Sequence, residues 1–147
     1  DFCTLLSMII KEKNLLKIFN NLNLSNFEKK KIKNIFTFQK KINYKLIEKN
    51  LIKFVYTYRK ELSISLLILD YVKSPSQNKK KKYLKYFSFI KTFKVPKFPV
   101  AGKDVISLGI KSGPVVGKTL KLVEDWWVEN KTKPSRKDCL NKLQEFC

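Results

Sequence analysis

The feature of this chain that most limits its fold is a three- and four-residue recurrence of apolar side chains running through most of its length. That spacing matches the 3.6-residue turn of an α-helix and not the two-residue alternation of a half-buried strand. Phe2, Leu5, Leu6, Ile9, Ile10, Leu15, Leu16 and Phe19 follow it with lysines between them, which predicts an amphipathic helix over 2–19. Leu24-Ser25-Asn26-Phe27-Glu28 comes next. Here Ser25 can accept a free first-turn amide while Glu28, three residues on, reaches back to the Ser25 amide. This capping box opens a predicted helix to about Lys41, with Phe27, Ile32, Ile35, Phe36 and Phe38 inward. Asn43 to Arg59 places Leu46, Ile47, Leu51, Phe54, Val55 and Tyr58 on one stripe, and Leu62 to Val72 places Leu62, Leu66, Leu69 and Val72 on another. Neither segment contains Gly or Pro. A strand over Ser63 to Leu69 is the competing reading, but its alternation fails at Leu66-Leu67-Ile68-Leu69.

Ser74-Pro75-Ser76 breaks the pattern, and Gln77 to Phe93 predicts a basic helix whose apolar side is Tyr83, Leu84, Phe87, Ile90 and Phe93. Its Lys79-Lys80-Lys81-Lys82 run sits at the positive end of the helix dipole. The run is either a solvated edge or a phosphate contact. Prolines at 96 and 99 hold Lys94 to Val100 extended, as a strap between helical units. A short helix from about Lys103 to Leu108 should end at Gly109 in the left-handed C′ position. Ser112-Gly113-Pro114 then opens a helix to about Glu129, with Ser112 as expected N-cap, Pro114 in the first turn, and Val116, Leu120, Val123 and Trp127 buried. Pro134-Ser135 starts a last helix, with Asp138 three residues after the capping Ser135 and Leu140, Leu143 and Phe146 on its apolar side. The sum is an all-α chain of about seven helices. It divides into a helical body over 1–93 and, over 94–147, the strap with a C-terminal helical tail.

Thirty-two Lys and Arg against 12 Asp and Glu give a formal charge of +20, so polyanions are the natural partners, with solvated lysine faces the bland alternative. Only Arg59 and Arg136 are arginine. Three cysteines, Cys3, Cys139 and Cys147, without C-x-x-C spacing make no disulfide framework and suit a reducing compartment. The longest apolar stretch, Ile64 to Leu69, is far short of the ~20 residues of a membrane span. A soluble, cytoplasmic protein is expected, or one of a mitochondrial or other organellar matrix. The chain begins at Asp1, directly in an apolar-periodic segment, as the continuation of something longer would.

Several chemistries are excluded. Without histidine there is no Ser-His-Asp or Cys-His catalysis and no His-containing zinc site. Two-metal nucleotidyl transfer needs converging carboxylates, and the aspartates at 1, 70, 104, 125 and 138 never form D-x-D. Asp125 and Glu129 share a helix face, but beside so many lysines they read as a surface pair. Gly113 to Thr119 imitates the end of a P-loop, yet its glycines are four apart, a proline fills the loop and no strand precedes it.

What remains is helix, glycine turn, helix over Gly102 to Lys118. The exposed amides and dipole at the start of its second helix attract anions, and Lys111 and Lys118 flank them. Equally, Gly109, Gly113 and Gly117 would permit a sharp turn and close helix packing; the two readings are compatible. Of Trp126 and Trp127, about 100° apart on a helix, Trp127 falls on the core stripe. Trp126 lies at its edge, for an interhelical contact or for base stacking.

Several of these segments resemble one family. They are Pro96 to Val105, Leu108-Gly109-Ile110, Gly113-Pro114, Val116-Gly117, Leu120 and Glu124-Asp125-Trp126-Trp127-Val128. Together they resemble the C-terminal signature of the bacterial-type (class II) CCA-adding enzyme and poly(A) polymerase family. Leu24-Ser25-Asn26 with Glu28, and Tyr58-Arg59 leading into Leu66 and Leu69, resemble its helical body more loosely. The resemblance implies a chain that binds the acceptor and T arms of tRNA while an upstream catalytic head, on the same polypeptide or a separate subunit, adds the 3′ CCA with Mg²⁺ and CTP or ATP. The head's D-x-D pair and the neck's E-D-x-x-R pattern have no counterpart here, since Glu124-Asp125 runs into Trp126-Trp127. The expected part is therefore non-catalytic and holds no cofactor itself. Its expected RNA contacts are Lys103, Lys111, Ser112, Gly113, Lys118 and Lys121, donating to phosphates and not reading bases. The rival readings are a freestanding module using the glycine turn as a helix-hairpin-helix element on duplex DNA, a C-terminal part of a poly(A) polymerase, and a lysine-rich scaffold without nucleic acid.

Overall fold

The computed structural model describes residues 1–10, 14–42 and 44–146, apart from the side chains of Lys41 and of residues 44–46. All regular structure among them is helical: α1 (Phe2–Ile9), α2 (Leu15–Asn21), α3 (Asn26–Lys41), α4 (Tyr44–Lys49), α5 (Leu51–Lys73), α6 (Gln77–Thr92), α7 (Gly102–Ser107), α8 (Pro114–Glu129) and α9 (Arg136–Gln144). No described helix is long and apolar enough to cross a membrane. The chain forms two compact units, one of residues 1–45 and 58–93, the other of 46–57 and 94–147.

In the first unit α1 packs on α3 around Cys3, Phe19, Ile32 and Phe36. The Ser25 capping box forms as the sequence predicts: Ser25 Oγ accepts the Glu28 amide at 3.2 Å, and Glu28 Oε2 accepts the Ser25 amide at 2.8 Å. The predicted helix over 2–19 is instead interrupted, since Ile10 is extended (φ −85°, ψ 139°) and closes α1 with its amide on the Leu6 carbonyl. Its buried face also differs. Cys3, Thr4 and Ser7 turn inward while Phe2, Leu5, Ile9 and Leu16 are exposed. α1 carries no charged residue to mark a solvent side, and a buried hydrogen bond fixes its rotation: Thr4 Oγ1 and Ser65 Oγ lie 2.8 Å apart, while buried Ser7 is satisfied within the helix, donating its Oγ to the Cys3 carbonyl at 2.7 Å.

Elsewhere the errors are rotational. Ile32, Ile35 and Phe36 are buried as predicted, but Phe27, roughly 130° around α3 from their midpoint, is exposed. Phe38 is half-buried, edge-on to Tyr58 with ring centroids 5.2 Å apart. In the latter part of α5 the buried arc takes in Ser63, Ser65 and Leu67 beside Leu66 and Leu69, leaving Val72 exposed. In α6 Tyr83 and Ile90 are buried and Leu84 is exposed.

The expected helix from Asn43 to Arg59 is two helices with Asn50 between them; Asn43 itself and the inward place expected for Leu46 lie outside the described residues. Asn50 ends one helix and begins the next by capping: its Oδ1 accepts the Lys53 amide at 2.9 Å. The following helix continues to Lys73 around a single non-helical residue, Arg59 (φ 60°, ψ 166°), with no Gly or Pro to mark the kink.

The second unit has its own core of Val100, Val105, Val123, Trp127, Val128, Cys139 and Leu143. α8 packs against α7 on one side and α9 on another. Ser135 and Asp138 form the predicted capping box of α9, with the Ser135 amide donating to Asp138 Oδ2 at 2.8 Å. α9 ends at Gln144, so Phe146 leaves the apolar stripe and is exposed, whereas Cys139 is fully buried.

Candidate nucleic-acid interface

The predicted helix, glycine turn and helix is present as α7, residues 108–113 and α8. Gly109 ends α7 at φ 92°, a left-handed conformation open to glycine at little cost. One boundary is shifted. The N-cap of α8 is Gly113, not Ser112, and Pro114 occupies the first helical position. Gly113 sits at φ 148°, ψ −169°, a region that a serine does not enter, so the chain turns into the helix one residue later than the capping preference of Ser112 suggests. The role of close packing falls to another glycine. A Cβ on Gly102 would stand 3.4 Å from Val116 Cγ1 and 4.0 Å from Leu120 Cδ1, while one on Gly117 would meet nothing.

Lys111, Ser112, Gly113, Pro114 and Val115 are all exposed on this turn. Val116 donates its amide to the Gly113 carbonyl at 3.1 Å, and Pro114 has none to give, so the exposed end offers the amides of Gly113 and Val115. Lys118, one turn further along α8, and Lys103, in the first turn of α7, are exposed too. Neither Lys111 nor Lys118 makes an ion pair among the described residues. Lys121 differs. Its ammonium lies 3.3 Å from Glu124 and 2.9 Å from Asp125, and the two carboxylates raise its pKa.

The turn is anchored by a clamp. Asp104 accepts the Ala101 amide at 2.8 Å and a two-pronged contact from Arg136, whose Nη2 lies 2.6 Å from Oδ1 and Nη1 3.2 Å from Oδ2. Arg136 also donates to the Pro99 carbonyl. One guanidinium thus ties the start of α9 to the start of α7 and to the segment before it. The hydrogen bond from Arg136, followed by that from Ala101, holds the Asp104 carboxyl below the usual range. Arg136 stands in the first turn of its helix, where a cation opposes the dipole, and Asp104 offsets that position.

Trp127 fixes the far end of α8. It is buried, edge-on to Tyr56 (centroids 5.7 Å) and tilted on Phe98 (5.5 Å), and its indole N–H donates to the Pro134 carbonyl at 2.9 Å. Trp126 packs half-buried against the same core with the Lys142 ammonium 5.8 Å above its ring, the interhelical contact of the two readings open in the sequence. Asn50 donates to the carbonyls of Val128 and Glu129 at 3.2 and 3.3 Å, closing α8 from 46–57 in the same unit.

The carboxylates of this unit are occupied by such contacts. Glu124 accepts the Tyr56 hydroxyl at 2.6 Å, Asp125 pairs with Lys121, Glu129 with Lys53 and Glu145 with Lys142. Among the described residues no three His, Cys, Asp or Glu side chains are placed to hold a metal ion. The arrangement leaves lysines and helix-end amides facing solvent, which suits binding an anion.

No family model matches the chain, and no solved structure matches it. Over 78 residues it is 30% identical to a protein of Danio rerio named CCA tRNA nucleotidyltransferase 1, mitochondrial. The match takes in 53% of this chain and 17% of that protein, so the chain corresponds to a minor part of its relative's length. The chain is a distant, partial homologue of a CCA-adding enzyme.

Proposed function

We propose that this chain is the tRNA-holding C-terminal part of a CCA-adding enzyme. It positions the 3′ end of tRNA through contacts to the acceptor and T arms while a catalytic head outside these residues adds the nucleotides. The observation that carries this reading is the similarity to a protein whose name gives tRNA as its substrate. The exposed turn supports it, because Lys103, Lys111 and Lys118 with the amides around Gly113 form a set of donors suited to backbone phosphates. Ser112, free of the capping role, adds a hydroxyl. Lys121 joins the set only by exchanging Glu124 and Asp125 for phosphate.

Mg²⁺ and CTP or ATP belong in this reading to the head. Glu124, Glu129, Asp125, Asp104 and Glu145 do not fit a divalent-metal pair, being tied to Tyr56, Lys53, Lys121, Arg136 and Lys142. No step of nucleotidyl transfer is therefore assigned to this chain. The test is the paired substitution Lys111→Glu with Lys118→Glu. It should weaken tRNA binding and make the log–log salt slope less steep by about 2, one for each lost phosphate contact, with helicity retained. Unchanged affinity would exclude the turn as the RNA contact.

A further inference from the structure

The first unit is far more basic than the second, with 19 Lys and Arg against 5 Asp and Glu. Its acids are largely engaged within the fold. Asp1 pairs with Lys31, Glu28 caps its own helix, and Asp70 takes both the Tyr83 hydroxyl at 2.5 Å and the Lys79 ammonium at 2.6 Å. The imbalance is greatest on α6, QNKKKKYLKYFSFIKT, which has six lysines and no acid.

These lysines do different things. Lys79 is structural: besides Asp70 it donates to the Ser74 hydroxyl at 2.8 Å. Lys80, Lys81, Lys85 and Lys91 are exposed, and their ammonium groups make no hydrogen bond or ion pair among the described residues. At 3.6 residues per turn these four fall within an arc of about 140° and span about 16 Å of helix. Exposed Leu84 and Ser88 lie in the same arc. Buried Tyr83 and Ile90 lie outside it.

Such a face is unfavourable by itself. Lys81 and Lys85 repel at four-residue spacing, each like pair costing a few tenths of a kcal/mol, and Lys80 and Lys81 lie near the positive end of the dipole. Among the described residues no ion pair or hydrogen bond of these four ammonium groups offsets these terms. A polyanion laid along the face would reverse their sign.

We propose that this face of α6 is a second nucleic-acid contact, a row of ammonium groups that docks along a sugar-phosphate backbone without reading sequence. It rests on the functional reading above for its partner, RNA, but uses different residues in the other unit.

The experiment compares the whole chain with two variants, Lys80→Gln/Lys81→Gln/Lys85→Gln/Lys91→Gln and Lys111→Glu/Lys118→Glu, by fluorescence anisotropy of labelled tRNA and of a duplex RNA between 50 and 200 mM salt. Glutamine has nearly the helix propensity of lysine and removes the repulsion, so the α6 variant should melt no lower than the parent without RNA. With two of the four lysines in contact, the variant's salt slope should be less steep by about 2 and its affinity at 0.1 M salt lower by roughly 50-fold. The loss should be equal for tRNA and duplex RNA. An α6 variant that keeps affinity and slope while the turn variant loses them overturns this proposal and leaves the functional reading standing. Loss in the α6 variant alone supports this proposal and moves the main contact away from the turn. If the parent chain binds neither RNA at 50 mM salt, both fail.

Discussion

Removing the Trp127 side chain should unfold the candidate interface from within, and the size of the effect follows from its surroundings. The ring is 3% exposed, and truncating a buried aromatic of this size costs about 3–5 kcal/mol. The upper part of that range is expected, since Trp127→Ala also breaks ring contacts with Tyr56 and Phe98 and the indole bond that holds the Pro134 carbonyl. Trp127→Phe keeps a ring but loses that donor, for about 1–2 kcal/mol. Trp126→Ala, at a half-buried site on the edge of the same core, should cost less than Trp127→Ala. Both tryptophans lie in the second unit, so their fluorescence in a urea titration reports that unit alone, and each variant of one leaves the other as the probe. The account is refuted if Trp127→Ala costs under about 1 kcal/mol, or if Trp126→Ala costs as much. Loss of RNA binding in Trp126→Ala at unchanged stability would return that ring to base stacking.

The Asp104–Arg136 clamp predicts an acid limb. Because Asp104 has a folded pKa below its unfolded value of about 3.9, its stabilisation is complete above that pH and is lost as pH falls through the depressed folded value. Asp104→Asn should therefore lose less stability than the parent between neutral and strongly acid pH in parallel urea titrations, and identical acid limbs would count against the clamp. Gly113, the N-cap of α8, and Gly117, inside that helix, should respond oppositely to alanine: Gly113→Ala, at φ 148°, should destabilise by roughly 1–3 kcal/mol, while Gly117→Ala, where a Cβ meets nothing, should stabilise by about 0.5–1 kcal/mol. Thermal melts of the two variants moving in the same direction would contradict this backbone description.

What the sequence makes legible is local. Ser25 with Glu28, Ser135 with Asp138, Gly109 and Pro114 mark helix ends through bonds reaching three residues or through a glycine or proline dihedral, and the structure places those ends accordingly. The misses depend on distant partners or on rotation. Asn50 separates two helices while also bonding carbonyls 78 and 79 residues away, and Arg59 kinks α5 with no residue type to announce it. Phe2, Leu5 and Ile9 are exposed because a hydrogen bond between Thr4 and Ser65 turns α1, and no periodicity in an uncharged octet reveals which of its apolar sides faces in. At the candidate interface the turn is readable and its anchor is not. Asp104 and Arg136 are 32 residues apart, and only the unfavourable dipole position of Arg136 hints at the pair. The ion pairs of Lys121 were within reach, since Glu124 and Asp125 stand at three and four residues along the same helix.

The central claim, that these helices grip a folded RNA by its phosphates, is tested most directly by binding of labelled tRNA to the whole chain across a salt series, with unlabelled duplex DNA of equal charge as competitor. The account predicts binding whose log–log slope is close to −0.9 for each phosphate neutralised, with the DNA displacing tRNA only weakly. Absence of binding at low salt, or displacement by duplex DNA as effective as by tRNA itself, would contradict it.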